Sequence, residues 1–181
     1  MVDINKIAYT TSLTGTDGVG EKYIPYVKSS SSTRYKRAED EWFVRWDNET
    51  VKFYNTDCKA RFQNSQYYFK KGIAIPMVKS KEIKATLMEN RVFDQSIVGI
   101  FPTDEKDMDY LLALMNSDVI NRLIHVINPT ANNSSNYVKQ LPYRVPSLKD
   151  RKRIEENVEK ILALNIRSEE HTSELQSHVR I

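Results

Sequence analysis

Cysteine is nearly absent from this sequence, because Cys58 is the single cysteine among 181 residues. One thiol cannot form a disulfide framework, and by itself it cannot hold a metal in a cysteine-based cluster. Long apolar runs are absent as well, since Lys, Asp or Asn interrupts the longest stretches before the ~20 residues that span a bilayer. The first residues, M-V-D-I-N-K-I, lack the apolar core of a signal peptide. We therefore expect a cytoplasmic protein without a membrane partner.

Glycine and histidine are also scarce, with five glycines and three histidines in the chain. Gly15, Gly18 and Gly20 form a G-x-x-G-x-G pattern, which is neither the dinucleotide-binding fingerprint nor a P-loop, so it indicates a flexible loop. His125 lies on an apolar helical stretch, where a structural histidine is expected. Neither a nucleophile–base set nor a zinc-ligand spacing is visible. The sequence therefore predicts no catalytic residue, no metal site and no cofactor bound by this chain.

The overall composition is that of a folded domain. Hydrophobic residues make up 40% and charged residues 28% of the chain, which are ordinary values for a globular protein. A chain of 181 residues is long enough for one domain with a substantial core, or one domain with a small appendage. The formal net charge of +3 permits an anionic partner without requiring one.

The C-terminal residues 167–181 stand apart from the rest. The string R-S-E-E-H-T-S-E-L-Q-S matches the in-frame translation of a common sequencing-library adapter. We expect this segment to be an assembly artefact and to be disordered. On this interpretation His171 and His178 are not functional candidates, and the natural protein continues beyond residue 166.

Short runs of β-branched and aromatic residues, bounded by Gly, Asn, Asp or Pro, dominate the first hundred residues. The D-N-E-T string at 47–50 has the composition of a hairpin turn, and Pro76 places its strand at a sheet edge or a bulge. The predicted strands are 4–9, 23–28, 42–46, 51–54, 72–78, 83–88 and 93–101.

After Pro102 the apolar spacing changes to that of helices. Strands followed by helices predict an α+β fold. We expect a twisted mixed or antiparallel β-sheet in the N-terminal and central part, packed with three to four helices in the C-terminal part. A single helical turn is expected at 136–140. The predicted helix caps and stops are Asp104 with Asp107 in the style of a capping box, Asn116-Ser117, Asn128-Pro129, and Ser147.

Basic and aromatic side chains alternate along residues 34–71. Cations interleaved with rings suit a nucleic-acid surface, because the cations neutralise phosphates and the rings stack on bases. The alternative is that the rings belong to the core and the cations to a solvated face. Composition alone leaves both interpretations open.

Two further patterns are close to catalytic motifs. E-I-K at 82–84, with an upstream carboxylate such as Asp57, would suit a divalent cation in an independent nuclease. N-P-T-A at 128–131 is close to the Asn-Pro-Pro-Tyr motif of DNA adenine methyltransferases, but it lacks the second proline and the ring that stacks on the flipped base. The Asn and Ser side chains of 116–142 are therefore expected to satisfy open backbone groups at helix ends.

An ordered set of short motifs runs through residues 67–146. It comprises Y-Y-F-K-K-G-I at 67–73, F-D-Q-S-I-V-G-I-F at 93–101, Y-L-L-A-L-M-N-S at 110–117, N-P-T at 128–130, N-S-S-N-Y-V-K at 133–139 and L-P at 141–142. In order and spacing this set resembles the C-terminal target-recognition region of adenine-specific (N6) DNA methyltransferases of type II and IIG restriction-modification and phage-defence systems. The resemblance extends more loosely to 23–28 and 42–46.

The resemblance implies that the chain reads a short sequence in double-stranded DNA and presents an adenine to a catalytic methyltransferase domain or subunit. That catalytic domain lies N-terminal in the parent enzyme and holds S-adenosylmethionine, so we expect DNA binding without methyl transfer from this chain alone. The expected organisation is an N-terminal segment (1–33) with flexible Gly/Ser loops, a target-recognition domain (34–146), an amphipathic C-terminal helix (147–166) and the tail (167–181).

Arg and Lys pair with guanine and Asn with adenine in the major groove, while Lys more often contacts phosphates. The alternative function is a non-catalytic specificity or scaffold subunit of a type I-like complex, whose last helix docks onto a partner. The expected DNA contacts are Arg34, Lys36, Arg37, Arg45, Lys59, Arg61, Lys70, Lys71, Asn132, Asn133, Asn136 and Lys139.

Overall fold

The computed structural model describes residues 3–9, 12–28, 31, 33–37, 40–59, 62, 64–78, 82–130 and 132–178. Within these residues the chain forms two small sheets and five α-helices, with most of the helices in the C-terminal half, which confirms the α+β prediction. The strands are β1 (Tyr23–Val27), β2 (Phe43–Arg45), β3 (Gly72–Pro76), β4 (Thr86–Met88), β5 (Val92–Phe93) and β6 (Ile97–Ile100). The helices are α1 (Asn48–Thr56), α2 (Met108–Met115), α3 (Asp118–Ile127), α4 (Ser135–Val138) and α5 (Leu148–His178).

Each sheet has three strands. The first has the order β2-β1-β5, with an antiparallel β1–β2 pair (Ile24 opposite Val44) and a parallel β1–β5 pair (Tyr26 opposite Val92). The second has the order β4-β3-β6 and is antiparallel throughout, with Ala74 opposite Gly99. The sheets are therefore one mixed and one antiparallel, as expected, but they are two separate sheets.

A tight turn explains why the predicted strand 93–101 splits into β5 and β6. Oδ1 of Asp94 accepts a hydrogen bond from the backbone N–H of Ser96 at 2.8 Å, and the carbonyl of Asp94 accepts from Ile97 at 3.2 Å. Asp commonly closes such turns through its own side chain. The chain leaves the first sheet at Phe93 and enters the second at Ile97.

Residues 47–54 form the start of a helix, so the predicted hairpin turn and strand were wrong. Asp47 has an extended backbone and acts as the N-cap of α1. Its Oδ1 accepts hydrogen bonds from the backbone N–H and the hydroxyl of Thr50 at 2.9 and 2.8 Å. An Asp followed by polar residues serves a helix start as well as a turn, and Glu49 in the first turn favours the helix because it interacts with the positive end of the helix dipole.

Two other local expectations were also wrong. Ile4–Lys6 is a 3-10 helix where a strand was expected. β3 is the central strand of its sheet, although it contains Pro76. The proline is tolerated because it is the last residue of the strand, and Met77 N–H continues the ladder to the carbonyl of Ser96 at 2.7 Å. The backbone of α5 runs to His178, so the helix includes most of the segment 167–181. That segment contains no Gly or Pro to stop a helix.

The helices follow the predicted caps more closely. Ser117 caps α3, accepting from Ile120 N–H at 3.3 Å, and Ser147 accepts from Asp150 N–H at 3.2 Å at the start of α5. Asp104 caps a 3-10 turn (Glu105–Asp107), from which α2 begins. Asp107 does not close a capping box; its carboxylate accepts from Arg151 of α5 at 2.7 Å.

Three buried clusters hold the elements together. The largest lies between the second sheet and the C-terminal helices and includes Ile75, Leu112, Ile120 and Val158. An aromatic cluster around Trp46 underlies the first sheet. The third cluster takes residues from both sheets, so it joins them: Val27, Ala74, Met88, Phe93 and Ile97. Among the described residues, no helix is both long and apolar enough to cross a membrane.

Two buried asparagines connect the helices to the second sheet. Asn116, at the break between α2 and α3, accepts from Ala85 N–H at 3.0 Å and donates to Ala85 C=O at 2.9 Å. Asn121 accepts from Ile83 N–H at 2.5 Å. Because asparagine side chains form hydrogen bonds with the backbone of Ile83 and Ala85, the strand predicted at 83–88 begins only at Thr86.

Asn116→Ala is expected to lower the free energy of unfolding by about 1–3 kcal/mol, because it leaves the buried N–H of Ala85 without a partner. Urea denaturation measures the change. Asn136→Ala is the matched control, because Asn136 is exposed and its loss should change the free energy of unfolding by less than about 0.5 kcal/mol. Equal free energies of unfolding for the two variants would show that the hydrogen bonds between Asn116 and Ala85 do not stabilise the packing of the helices.

Asp47 is expected to make stability fall in acid. Burial raises its pKa, but hydrogen bonds from Arg45 and Thr50 outweigh burial and lower the pKa from 3.8 to about 2. A carboxyl whose pKa is depressed by folding stabilises the protein above its unfolded pKa, and this contribution is lost as pH falls from about 4 towards 2.

Asp47→Asn keeps a capping acceptor but removes the titrating group, so its stability should fall less steeply than that of the wild type over this acid range. Asp47→Ala also loses the cap, which costs about 1 kcal/mol at neutral pH. Urea denaturation across the acid range checks both variants. An acid decline as steep in Asp47→Asn as in the wild type would contradict the assignment.

Candidate nucleic-acid interface

A cleft of about 670 Å³ opens where the two sheets meet, and we call it the inter-sheet cleft. The first sheet contributes Tyr26 and Phe93, and the second contributes β6 from Ile97 to Gly99. Ser135 of α4 also lines it, so the Asn- and Ser-rich stretch closes one side. A cavity of this volume is in the range of ligand-binding sites.

One wall of the cleft is aromatic, and two glycines shape it. A side chain at either Gly72 or Gly99 would place its Cβ 2.6 Å from the ring of Phe101. Both positions must therefore be glycine for this ring to lie across β3 and β6. Tyr67 stacks on Phe101, with ring centroids 4.6 Å apart and planes 20° apart. Tyr67 is 37% exposed, so this wall extends to the surface.

The turn before Tyr67 explains how this ring reaches the cleft. Asn64 takes a φ of +61°, in the left-handed region that asparagine tolerates better than most residues. A 3-10 helix (Ser65–Tyr67) follows, and it holds Tyr67 above the ring of Phe101.

Behind this wall, the rings of the 34–71 segment form a continuous core. Phe93 contacts Tyr68 edge-on at 5.4 Å, Tyr68 contacts Trp46 at 6.1 Å, and Trp46 stacks on Phe62 at 5.4 Å. A smaller pocket of about 210 Å³ lies among these rings and shares Tyr26, Tyr68, Phe93 and Asp94 with the cleft. Most of the rings therefore belong to the core, as the alternative interpretation held, and Tyr67 links that core to the surface.

Asp94 places a carboxylate in the cleft. Its Oδ2 accepts from the hydroxyl of Tyr26 at 2.6 Å, and its Oδ1 accepts from Ser96. Burial raises the pKa of Asp94, but the hydrogen bonds from Ser96 and Tyr26 outweigh it and hold the pKa below its ordinary value. Burial and the contact with Asp94 raise the pKa of Tyr26. At neutral pH the cleft therefore contains an ionised carboxylate and a neutral phenol.

Four exposed lysines line the cleft or lie next to residues that line it. Lys59 and Lys139 line the cleft from opposite parts of the chain. The ammonium of Lys70 lies 5.6 Å from the ring centroid of Tyr67. The charge of Lys28 contributes to the lowered pKa of Asp94, and its ammonium lies 5.1 Å from the ring centroid of Trp42. None of the four forms a salt bridge with a carboxylate in the part of the chain that the structure describes. We call them the cleft lysines.

Sequence reasoning selected three of the cleft lysines and missed Lys28. It also missed Gln95, whose exposed amide lines the cleft. Each of the two lies just past the end of a strand, and that position is the one signal by which the sequence indicates them. Lys71, another predicted contact, is exposed just before β3.

The predicted arginine contacts have partners within the fold. Arg34 pairs with Glu82 at 2.5 Å, and Arg45 pairs with Asp47 at 2.5 Å. Arg37 is half-buried, and burial lowers its pKa while Asp40 opposes that change. Lys36, in the same segment, is also half-buried. Arg61 lies outside the described residues.

The asparagine predictions divide by burial. Asn133 is 3% exposed, accepts from Asn128 Nδ2 at 3.2 Å and donates to the carbonyl of Pro76 at 3.4 Å. Its side chain is therefore used inside the fold and offers little surface for the predicted DNA contact. The side chains of Asn132 and Asn136 are exposed. Asn128, of the motif-like N-P-T-A string, is fully buried and accepts from Thr130 N–H at 2.9 Å.

The nuclease hypothesis finds little support. Glu82 is ion-paired with Arg34, and Asp57 closes the end of α1 and accepts from Lys59 N–H at 2.9 Å. Among the residues that the structure describes, no three His, Cys, Asp or Glu side chains lie close enough to hold a metal ion.

The sequence matches no protein-family model, and no curated protein matches it. Functional inference therefore depends on the residues of the inter-sheet cleft and on the motif resemblance.

Proposed function

We propose that this chain is the DNA-binding, target-recognition part of an S-adenosylmethionine-dependent adenine-specific DNA methyltransferase of a restriction-modification or phage-defence system. The observation that carries the proposal is an aromatic-walled cleft lined by Lys59 and Lys139, with the charge of Lys28 acting on Asp94 and the ammonium of Lys70 beside the ring of Tyr67. The order of motifs along residues 67–146 supports the assignment to this class of protein.

The cleft lysines suit phosphate contact. An ammonium group is a compact point charge on a flexible stem, so it follows a DNA backbone without demanding one geometry. Lys59 and Lys139, which both line the cleft, would neutralise phosphates at its opening, and Lys28 adds positive charge near Asp94. Such contacts release counterions, and they fix the position of the duplex without selecting its sequence.

Side-chain amides near the same opening are suited to read bases. Asn64 and Gln95 both line the cleft and are exposed. An Asn or Gln amide pairs with the N6 and N7 edge of adenine in the major groove. Asn136, exposed on α4 beside Ser135, is a third amide within the same region.

Methyl transfer belongs to the parent's catalytic domain in this proposal. The Asn-Pro-Pro-Tyr motif of that domain begins with an asparagine that binds the target amine, and Asn128 is also an asparagine followed by proline. The amide of Asn128 is buried, however, and its hydrogen bonds to Thr130 and Asn133 stabilise the turn between them. By the resemblance, S-adenosylmethionine and the Asn-Pro-Pro-Tyr motif belong to the catalytic domain, which is the expected protein partner.

A salt titration tests the DNA contact. Wild-type protein should bind a labelled duplex of random sequence with a log Kd that rises linearly with log salt. Lys59→Gln combined with Lys139→Gln should weaken binding and reduce the slope by about 2, since each lost phosphate contact removes about 1. Fluorescence anisotropy between about 50 and 200 mM salt measures both quantities.

The matched control is Lys152→Gln combined with Lys160→Gln, which removes the same charge from exposed positions on α5. This control should keep the wild-type slope. A wild-type log Kd that does not change with salt would contradict phosphate contact. An equal loss of affinity in both double variants would show that the contacts are not made at the cleft.

The link to a methyltransferase predicts a specific gene neighbour. A reading frame upstream of this one should encode a domain with the Asn-Pro-Pro-Tyr motif and a glycine-rich S-adenosylmethionine site. Genome sequence around the gene checks this directly. A neighbourhood without any methyltransferase frame would contradict the assignment while leaving DNA binding open to the salt titration.

A further inference from the structure

The inter-sheet cleft combines three chemical zones. Its wall is formed by the rings of Tyr67, Phe93 and Phe101, its interior holds the ionised carboxylate of Asp94, and its rim carries the cleft lysines. A flat ring fits the wall, an amine fits the carboxylate and a phosphate fits the rim. A nucleotide carries all three groups.

The position of the zones also sets an orientation. Asp94 repels phosphate, so a phosphate stays at the lysine rim and the base points inward. Bases of an intact duplex are stacked and cannot enter such a cavity, whereas an unstacked or extruded base can. The cleft volume of about 670 Å³ is large enough for a ligand of that size.

We propose that the inter-sheet cleft binds one unstacked, amine-bearing base of a bound nucleic acid. The ring lies against the aromatic wall at Tyr67, the exocyclic amine donates to Asp94, and the flanking phosphates contact Lys59 and Lys139. This inference rests on the proposed function and adds to it a site for a single base.

Asp94 retains capacity for this contact. Within the part of the chain that the structure describes, its Oδ2 accepts one hydrogen bond, from Tyr26 at 2.6 Å. A carboxylate oxygen has two acceptor positions, so one remains for a ligand amine. Because hydrogen bonds from Ser96 and Tyr26 outweigh burial and keep the pKa of Asp94 low, the group accepts rather than donates at neutral pH. Carboxylates accept from the N4 amine of cytosine, and thymine has no exocyclic amine.

Tyr67 is the wall residue open to a ligand. It is partly exposed, and the ammonium near its ring belongs to the flexible Lys70 side chain. An exposed contact between a cation and a ring is worth only about 0.5–1 kcal/mol, so a base can displace it. Lys70 can then turn to a phosphate.

Three duplexes that differ at one position test the site with the full chain. One carries a single cytosine bulge, one an abasic bulge at the same position, and one is fully paired. Stacking on aromatic side chains contributes about 1–3 kcal/mol per base, so the cytosine bulge should bind about 5- to 150-fold more tightly than the abasic bulge. Tyr67→Ala should remove this ratio.

Tyr143→Ala is the matched control for Tyr67→Ala. Tyr143 is also an exposed tyrosine that contacts one ring, that of Tyr110 at 5.8 Å, and it does not line the cleft. It should keep the wild-type ratio. Equal binding of the cytosine and abasic bulges by wild-type protein would overturn the inference, and so would an equal loss of the ratio in both variants.

Asp94→Asn tests the amine contact. Asparagine keeps one side-chain oxygen to accept from Ser96, and its Nδ2 can donate to the Tyr26 hydroxyl in place of the lost bond, so the turn is kept. A thymine bulge should bind wild-type protein about tenfold more weakly than a cytosine bulge, because it cannot donate an exocyclic amine to the carboxylate. Asp94→Asn should remove this preference. No preference in the wild type, or one that survives in Asp94→Asn, would overturn the role of Asp94.

Two further arms separate the possible outcomes. Free cytidine monophosphate should compete poorly with the bulged duplex for the protein, because it offers only one phosphate to the lysines. Competition as strong as that of unlabelled bulged duplex would assign the site to free nucleotides and overturn the inference. The fully paired duplex reports the proposed function on its own. Its salt-dependent binding without any bulge effect would reject the base site alone, whereas absent binding of all three duplexes would reject both.

Discussion

The hydroxyl of Tyr26 donates a hydrogen bond to Asp94 at the turn where the chain passes from the first sheet to the second, and both residues line the inter-sheet cleft. Tyr26 lies in the first sheet, and Asp94 begins the turn from which β6 enters the second sheet. Three-stranded sheets of this size need packing partners to be stable. The turn and the shared cluster of Val27, Phe93 and Ile97 supply this packing, and the inter-sheet cleft is the space beside them.

The arginines and the cleft lysines have different roles: several arginines form ion pairs within the fold, whereas the cleft lysines are exposed. Arginine has a planar, weakly hydrated fork that suits ion pairs in partly buried places, whereas the strongly hydrated ammonium of lysine stays in solvent. Arg34, Arg45 and Arg91 accordingly pair with carboxylates in the fold. The cleft lysines remain exposed. A chain with a net charge of only +3 can thus present a locally basic rim.

The Asn-rich stretch between residues 116 and 142 is largely structural. Asn116, Asn121, Asn128 and Asn133 are all buried, and each satisfies backbone or side-chain groups between the helices and the second sheet. Their amides donate and accept at once, which lets each close a gap in the hydrogen bonding where an element ends. The part of this stretch that meets the cleft is α4, through Ser135 at its start and Lys139 just after its end.

The sequence by itself determined the helices of the C-terminal half, because their caps and apolar spacing are local. Ser117, Asn128 and Ser147 act at the positions where the pattern placed them. Tertiary structure decided the rest, since D-N-E-T serves a turn or a helix start, and the burial of Val51 against Trp46 selects the helix. It also decided which cations are ion-paired and which surround the cleft. Lys59 and Lys139 are 80 positions apart in the sequence, yet both line the inter-sheet cleft. Their proximity arises from the packing of two sheets and the turn at Asp94, and no local sequence pattern predicts it.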